Sequence, residues 1–223
     1  ALSQTAAGTG PQFSDPDLDD STWGRIDVPS HWVLRGDGRY GHPIYTNVQY
    51  PFPIDVPHVP DENPTGEYRR TVAVPADWLD DGRVLLRFDG VESFFWVWVN
   101  GHLIGSAAGS RLAHELDVTD AVKAGQNTVA VRVAQWSAGS YLEDQDQWWL
   151  PGIFREVTLL RRPAGGIEDL WLDADYDPAT GEGYLAGEIT AGEGAFPVHL
   201  RIPDLGVDLT WDTPADVSEV AVG

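Results

Sequence analysis

Hydrophobic residues in this chain come in short runs rich in β-branched and aromatic side chains, each closed by glycine, proline, asparagine or aspartate. Runs of that kind predict strands, here at residues 66–74, 83–91, 94–99, 102–106, 112–118, 128–135 and 154–160. The alternation of Val129, Val131 and Val133 marks one buried face. Residues 94–99, Phe-Phe-Trp-Val-Trp-Val, are apolar at every position and predict a central strand covered on both sides. Trp96 and Trp98 should share one face of it, with Phe95 and Val97 on the other. Asn100-Gly101 between two such runs is the strongest short hairpin signal. Gly90, Gly109 and Gly125-Gln-Asn127 punctuate the rest. No amphipathic helix of more than a turn or two is evident. The prediction is an all-β fold, a β-sandwich of jelly-roll type.

Two segments break the rhythm. Residues 46–63 lie in a stretch where five prolines fall from Pro43 to Pro60, interleaved with Tyr45, Tyr50 and Phe52. Proline lacks the amide donor that a sheet interior needs, so this is a long ordered loop or extended arm, a kind of segment that tends to carry function. The second break is Arg-Arg-Pro-Ala-Gly-Gly at 161–166, which divides the chain into domains 1–163 and 164–223. Strands are predicted again at 167–176, 183–190, 198–202 and 207–211, the first two separated by the turn Asp-Pro-Ala-Thr-Gly at 177–181. They suit the start of an immunoglobulin-like sandwich. A complete one needs about 100 residues and only about sixty follow, so the second domain is expected to be cut short.

Composition narrows the function classes. Acidic residues number 35 against 14 basic, a formal net charge of −21. A field of that sign repels phosphate backbones and anionic lipid, which argues against nucleic-acid and membrane-surface roles. The plain consequence of the acidity is solubility. Cysteine is absent, so no disulfide holds the fold. No apolar run approaches the ~20 residues needed to span a bilayer, the first residues lack the pattern of a signal peptide, and a cytoplasmic location is expected. Methionine is missing altogether, and the chain is expected to be a piece of a longer protein.

Candidate chemistry concentrates in Tyr141-Leu-Glu-Asp-Gln-Asp-Gln-Trp-Trp149, which runs on into Leu-Pro-Gly-Ile-Phe-Arg155. Three carboxylates, glutamine and three aromatic rings fall within nine residues. Planar rings stack on the C–H faces of a sugar, while carboxylates and amides bond its hydroxyls. The oxygen-rich centre also suits a hard cation. The plainer alternative is an acidic surface loop beside core tryptophans. If Asp144 and Asp146 lay on one strand, their α-carbons would be about 6.5–7 Å apart. That spacing does not exclude a glycosidase pair, but both acids would reach a substrate from the same side instead of flanking the bond. The six histidines are scattered without metal-ligand spacing.

Taken together, several motifs resemble a known family. They are Asp-Gly-Val-Glu-Ser-Phe-Phe-Trp-Val-Trp-Val-Asn-Gly at 89–101, Gly-Ser-Arg at 109–111, and the stretch from Trp136 to Arg155. They look like the N-terminal sugar-binding domain of family 2 glycoside hydrolases, a galactose-binding-domain-like jelly roll. Thr-Asn-Val-Gln-Tyr-Pro at 46–51 and Val-Pro-Asp-Glu-Asn-Pro-Thr-Gly at 59–66 narrow the resemblance to β-galactosidases. It covers residues 20–163 well and the tail more loosely.

The resemblance implies a retaining enzyme with the domain order jelly roll, immunoglobulin-like sandwich, (β/α)8 barrel. The two catalytic glutamates belong to the barrel, so no catalytic residue is expected in this chain. The first domain lends residues to the barrel's site. At the matching positions, Asn47 and Asp146 are implied to contact galactosyl hydroxyls, and Asp146 to help hold a sodium ion shared with the barrel. Asn offers a donor and an acceptor to a hydroxyl that is both, and a carboxylate makes a charge-assisted bond. Magnesium is expected only in the barrel. The peripheral magnesium site of some relatives is implied to be missing, because Ala108 and Ala138 stand at its ligand positions. The expected partner is a β-galactoside, and the full-length protein is expected to be a homo-oligomer. A stand-alone carbohydrate-binding module and a structural sandwich mediating oligomer contacts remain alternatives.

Overall fold

The computed structural model describes residues 2–3, 11–47, 49–213 and 218–222. Two compact units divide it, residues 1–80 with 84–161 and residues 81–83 with 162–223. Helical structure among the described residues is confined to 3-10 turns of three or four residues. None is long and apolar enough to cross a membrane.

The strands of the first unit are β1 (Leu2–Ser3), β2 (Ile44–Tyr45), β3 (Thr65–Val74), β4 (Arg83–Phe88), β5 (Val91–Glu92), β6 (Phe94–Val99), β7 (His102–Ala108), β8 (His114–Asp117), β9 (Gly125–Ala134), β10 (Trp148–Trp149), β11 (Gly152–Ile153) and β12 (Val157–Arg162). One sheet has the order β1-β3-β9-β6-β7 and a second the order β12-β4-β8. Two short ladders, β2 with β10 and β5 with β11, complete the jelly roll. The core lies between the sheets, where Val84, Leu86 and Phe88 of β4 meet Phe95, Val97 and Val99 of β6 and Val129, Val131 and Val133 of β9. Period-two alternation selects these side chains, and removing them from water is the main drive for the fold.

The Asn100-Gly101 turn closes the β6–β7 hairpin, with Val99 opposite His102. Both residues have positive φ, 50° and 84°, as a primed two-residue turn requires. Asn100 also ties the turn to its surroundings. Its amide donates to the carbonyl of Ala121 and to Oδ1 of the buried Asn127, and its own Oδ1 accepts from the Thr128 N–H.

Some expectations need correction. The run 83–91 is two strands, because Asp89 and Gly90 leave the ladder before β5 begins. The strand expected over 112–118 shortens to β8. Strand β6 is interior to its sheet, yet only one face is fully buried. Phe95, Val97 and Val99 are inaccessible, whereas Phe94, Trp96 and Trp98 are only partly covered. The second sheet packs on the opposite face, against Phe95, Val97 and Val99. On the tryptophan face, Phe13 from the N-terminal segment sits edge-on to Trp98 with centroids 5.0 Å apart, beneath the Arg132 guanidinium at 4.5 Å. Arg69 pins that segment, donating to the carbonyls of Phe13 and Asp15 and pairing with Asp20 at 2.8 Å.

In the second unit, β13 (Ile167–Asp177), β14 (Glu182–Ala191) and β17 (Ser218–Val222) form one antiparallel sheet, and β15 (Val198–Ile202) and β16 (Val207–Trp211) form a hairpin. Ile189, Val198 and Trp211 make a small core with Leu200 and Leu209 around it. On β13, Leu170 stands opposite Ile189 and Leu172 opposite Gly187, yet both leucines are more than 40% exposed. Five strands among the described residues, against the seven of a complete immunoglobulin sandwich, leave that apolar face partly open.

Candidate functional site

The acidic stretch is a loop, and that changes how its carboxylates are read. Ala138–Tyr141 forms one 3-10 turn, residues 142–147 carry no strand, and only Trp148–Trp149 pairs as β10. Strand spacing therefore does not apply to Asp144 and Asp146. Asp144 is half-buried, with Oδ1 shielded from water and without a hydrogen-bond partner, while Asp146 is exposed.

The β2–β10 ladder brings the proline-rich arm to this loop, with Trp148 opposite Tyr45 and Trp149 opposite Ile44. The rings of Tyr45 and Trp148 lie 5.4 Å apart, and both are about half exposed. Tyr45, 101 residues before Asp146, donates its hydroxyl hydrogen to Asp146 Oδ1 at 2.5 Å. The bond to Asp146 is the chief reason the Tyr45 phenol is held above its ordinary pKa, and the neighbouring Asn47 works the other way. Asn47 and Asp146, singled out in the sequence, thus stand near Tyr45, which was not, Asp146 by its hydrogen bond and Asn47 two residues along the arm. Both are exposed.

Beneath them is an aromatic layer. Trp149 is buried, donates Nε1–H to Thr46 Oγ1 at 2.9 Å, and meets Trp136 edge-on at 5.2 Å. Phe52 packs edge-on to Trp136 and Tyr141 at 5.0 and 5.6 Å. The Tyr50 hydroxyl donates to the Tyr141 carbonyl at 2.8 Å, and the Tyr141 hydroxyl donates to the His58 carbonyl at 2.6 Å. Asn63 both donates to and accepts from the Trp136 backbone. Residues 46–63 are therefore an ordered arm held by the loop's own rings.

The loop is anchored on its other side by Glu143. That carboxylate accepts from the Ser110 N–H at 3.0 Å and from the Ser110 hydroxyl. Arg111 stands 3.9 Å from Glu143 and 2.9 Å from the buried Glu92. Burial pushes the Glu92 carboxyl up to about 7, against the pull of Arg111, and the nearby Glu143 charge adds to the rise. Glu92 was read in the sequence only as part of a motif. Its lone charge in the run Val91 to Val99, apolar otherwise except for Ser93, was the available signal.

Asp146 Oδ1 is engaged by Tyr45, while Oδ2 is the acceptor left to a ligand. Among the described residues no three acidic or histidine side chains gather as a metal site. An exposed carboxylate with one open oxygen fits as one ligand of a hard, oxygen-preferring ion, with the other ligands supplied from elsewhere.

Residues 1–163 match the family model described as "Glycosyl hydrolases family 2, sugar binding domain". A β-galactosidase of Arthrobacter sp. (strain B7) is 60% identical over 207 residues, covering 92% of this chain and 20% of that protein. A β-galactosidase of Kluyveromyces lactis is 47% identical over 163 residues, covering 70% of this chain and 16% of that protein. This chain spans about a fifth of the length of the curated relatives it matches. Among solved structures, Bifidobacterium dentium β-glucuronidase, in complex with coumarin-3-O-glucuronide, superposes with a TM-score of 0.65 at 20% identity, covering 95% of this chain and 38% of that one. A β-glycosidase from Bacteroides vulgatus gives 0.62 at 22% identity, covering 99% and 26%. At those identities the likeness shows the fold.

Proposed function

This chain belongs to glycosyl hydrolase family 2, and we propose that it is the N-terminal part of a β-galactosidase, lending Asn47 and Asp146 to a galactoside site whose bond-breaking groups lie on a barrel outside it. The observation that carries this reading is the hydrogen bond from Tyr45 to Asp146, which sets the acidic loop beside the arm that carries Asn47 two residues further on, where the β2–β10 ladder pairs the two segments. Two exposed oxygen-bearing side chains beside exposed rings suit sugar hydroxyls. Glycoside hydrolysis requires two carboxylates flanking the scissile bond, and in this reading that pair belongs to the barrel. The chain alone therefore binds or positions without cleaving.

Sodium is the proposed ion, with Asp146 as one ligand and the remainder on the barrel. A galactoside is the proposed substrate, and a homo-oligomer the proposed assembly of the whole enzyme. The deciding experiment is steady-state kinetics on the full-length enzyme carrying Asp146→Ala, across a sodium titration. The expected loss in kcat/KM is about 2–4 kcal/mol, with a blunted sodium response. An unchanged kcat/KM and sodium response would remove Asp146 from the site.

A second reading, a carbohydrate-binding module that works alone, is favoured by the exposure of Tyr45 and Trp148 as an adjacent ring pair. Titration of residues 1–223 with galactose separates the two. Saturable binding by the chain alone supports the module, and its absence supports the shared site.

A further inference from the structure

The acidic loop is fastened at its start and open at its middle. Glu143 accepts from the Ser110 N–H at 3.0 Å and from the Ser110 hydroxyl, and its own N–H closes a turn on the Gly139 carbonyl at 2.9 Å. Beyond it, Gln145 and Asp146 are exposed. Two carboxylates share one cation behind this anchor. The Arg111 guanidinium lies 2.9 Å from Glu92, whose side chain is 5% exposed, and 3.9 Å from Glu143, at 22%. We propose that Glu143 is the positioning residue of the acidic loop and that Arg111 couples it to Glu92, so that a negative charge on Glu92 loosens the loop and its neutralisation tightens it.

One positive charge compensates one carboxylate. With Glu92 ionised, the guanidinium is drawn to the acid that has lost its water, which is the disposition in this structure, and Glu143 faces a like charge. With Glu92 neutral, Arg111 has only Glu143 to pair with, and the repulsion is gone. Asp146 follows Glu143 by three residues, so the anchor sets how firmly the proposed sugar and cation ligand is presented. The coupling itself does not depend on that assignment.

The charge on Glu92 changes in the neutral range. Burial lifts its carboxyl to about 7 against the pull of Arg111, and the Glu143 charge adds to the rise. That last effect is reciprocal. If the charged anchor resists ionisation of Glu92, ionised Glu92 disfavours the charged anchor by the same free energy.

The surroundings hold few other titratable groups. Strand β11 brings only Gly152 opposite Glu92. Burial holds the His31 imidazole below its ordinary pKa, and Arg111 repels its proton further, so His31 is neutral before Glu92 ionises. The His114 ring bonds the Gly109 carbonyl at 3.2 Å, next to Ser110, and Arg155 donates to the Arg111 carbonyl at 2.9 Å. Asp144 and Asp146 lie further along the loop. All of these are common to the parent and to Glu92→Gln, so that substitution isolates the Glu92 charge.

The test is the exchange rate of the Ser110 amide, whose acceptor is Glu143, followed by NMR in residues 1–223 and divided by the intrinsic rate at each pH. Protection should fall about three- to tenfold between pH 5.5 and 8.5, with the midpoint of the Glu92 carboxyl 13C shift. In Glu92→Gln it should stay at the acid-side level throughout. In Glu143→Gln the Glu92 carboxyl should ionise at a lower pH than in the parent. Retained protection of the β6 amides verifies that both variants fold. An equal fall in the parent and Glu92→Gln would overturn the coupling, as would a Glu92 midpoint unmoved by Glu143→Gln. Should either variant fail to fold, different midpoints for the Ser110 amide and the Glu92 carboxyl in the parent would overturn it as well.

Discussion

Glu92 and Arg111 form an ion pair of 2.9 Å whose acidic end is buried and whose basic end reaches solvent. One guanidinium thus serves a carboxylate that has lost its water and, more distantly at 3.9 Å, Glu143 of the acidic loop. Desolvation outweighs the Arg111 attraction, and Glu92 titrates near neutrality, at about 7 instead of 4.5.

The sign of the resulting pH effect follows from linkage. A folded-state value above the unfolded one means that the native state holds the extra proton. Its contribution is complete below about pH 4.5 and is lost as pH rises through 7. Between pH 5 and 8, Glu92 should remove about 2–3 kcal/mol of stability. Urea unfolding of the chain and of Glu92→Gln at both pH values measures it. The parent should lose more stability than the variant over that interval, and parallel losses would show that Glu92 is ionised throughout.

Strand β6 separates a filled face from a half-filled one. Phe95→Ala empties a site that is 1% exposed and packed at a tilt against Phe88 at 4.8 Å, and should cost about 3–5 kcal/mol. Trp98→Ala removes a larger but partly solvated ring and should cost about half as much. Chemical-denaturation midpoints rank the two, and the reverse order would mean that the tryptophan face is the better packed.

Arg69 is the clasp of the N-terminal segment. Its side chain is 5% exposed and holds two carbonyls and the Asp20 carboxylate. Arg69→Met keeps the aliphatic stem and leaves those acceptors unpaired, at a cost of about 2–4 kcal/mol. Hydrogen exchange should accelerate in residues 13–20 ahead of the rest of the sandwich. Uniform acceleration would show that the segment does not open separately.

Tyr141 ties the proline-rich arm to the acidic loop. Its hydroxyl donates to the His58 carbonyl and accepts from the Asp55 N–H at 3.3 Å. Tyr141→Phe keeps the packing on Tyr50 and Phe52 and drops both bonds, costing about 1–2 kcal/mol. The Asp55 amide should exchange faster and limited proteolysis should move into residues 53–58. Unaltered protection there would assign the order of the arm to ring packing alone.

The sequence by itself determined the all-β class, most of the long strands, the Asn100-Gly101 hairpin and the arm over 46–63. Alternation and turn chemistry act over a few neighbouring residues, so their outcome can be read in order along the chain. It also carried Asn47 and Asp146, through motifs and not through geometry. Tertiary structure alone decided that Tyr45, two residues before Asn47, bonds Asp146. Strands β2 and β10 have two residues each, too short for any period, and their pairing brings together Tyr45 and Asp146, 101 residues apart. The same holds for Glu92 and for Trp98. A charge in an apolar run and a ring on an interior strand are both visible in the sequence, but whether water reaches them depends on which distant segment lies across them. Arg111 caps the first from the Gly-Ser-Arg turn, and Phe13, clasped by Arg69, covers part of the second. Such coverage is settled by packing and desolvation summed over the whole sandwich, a sum to which no local run of residues holds the terms.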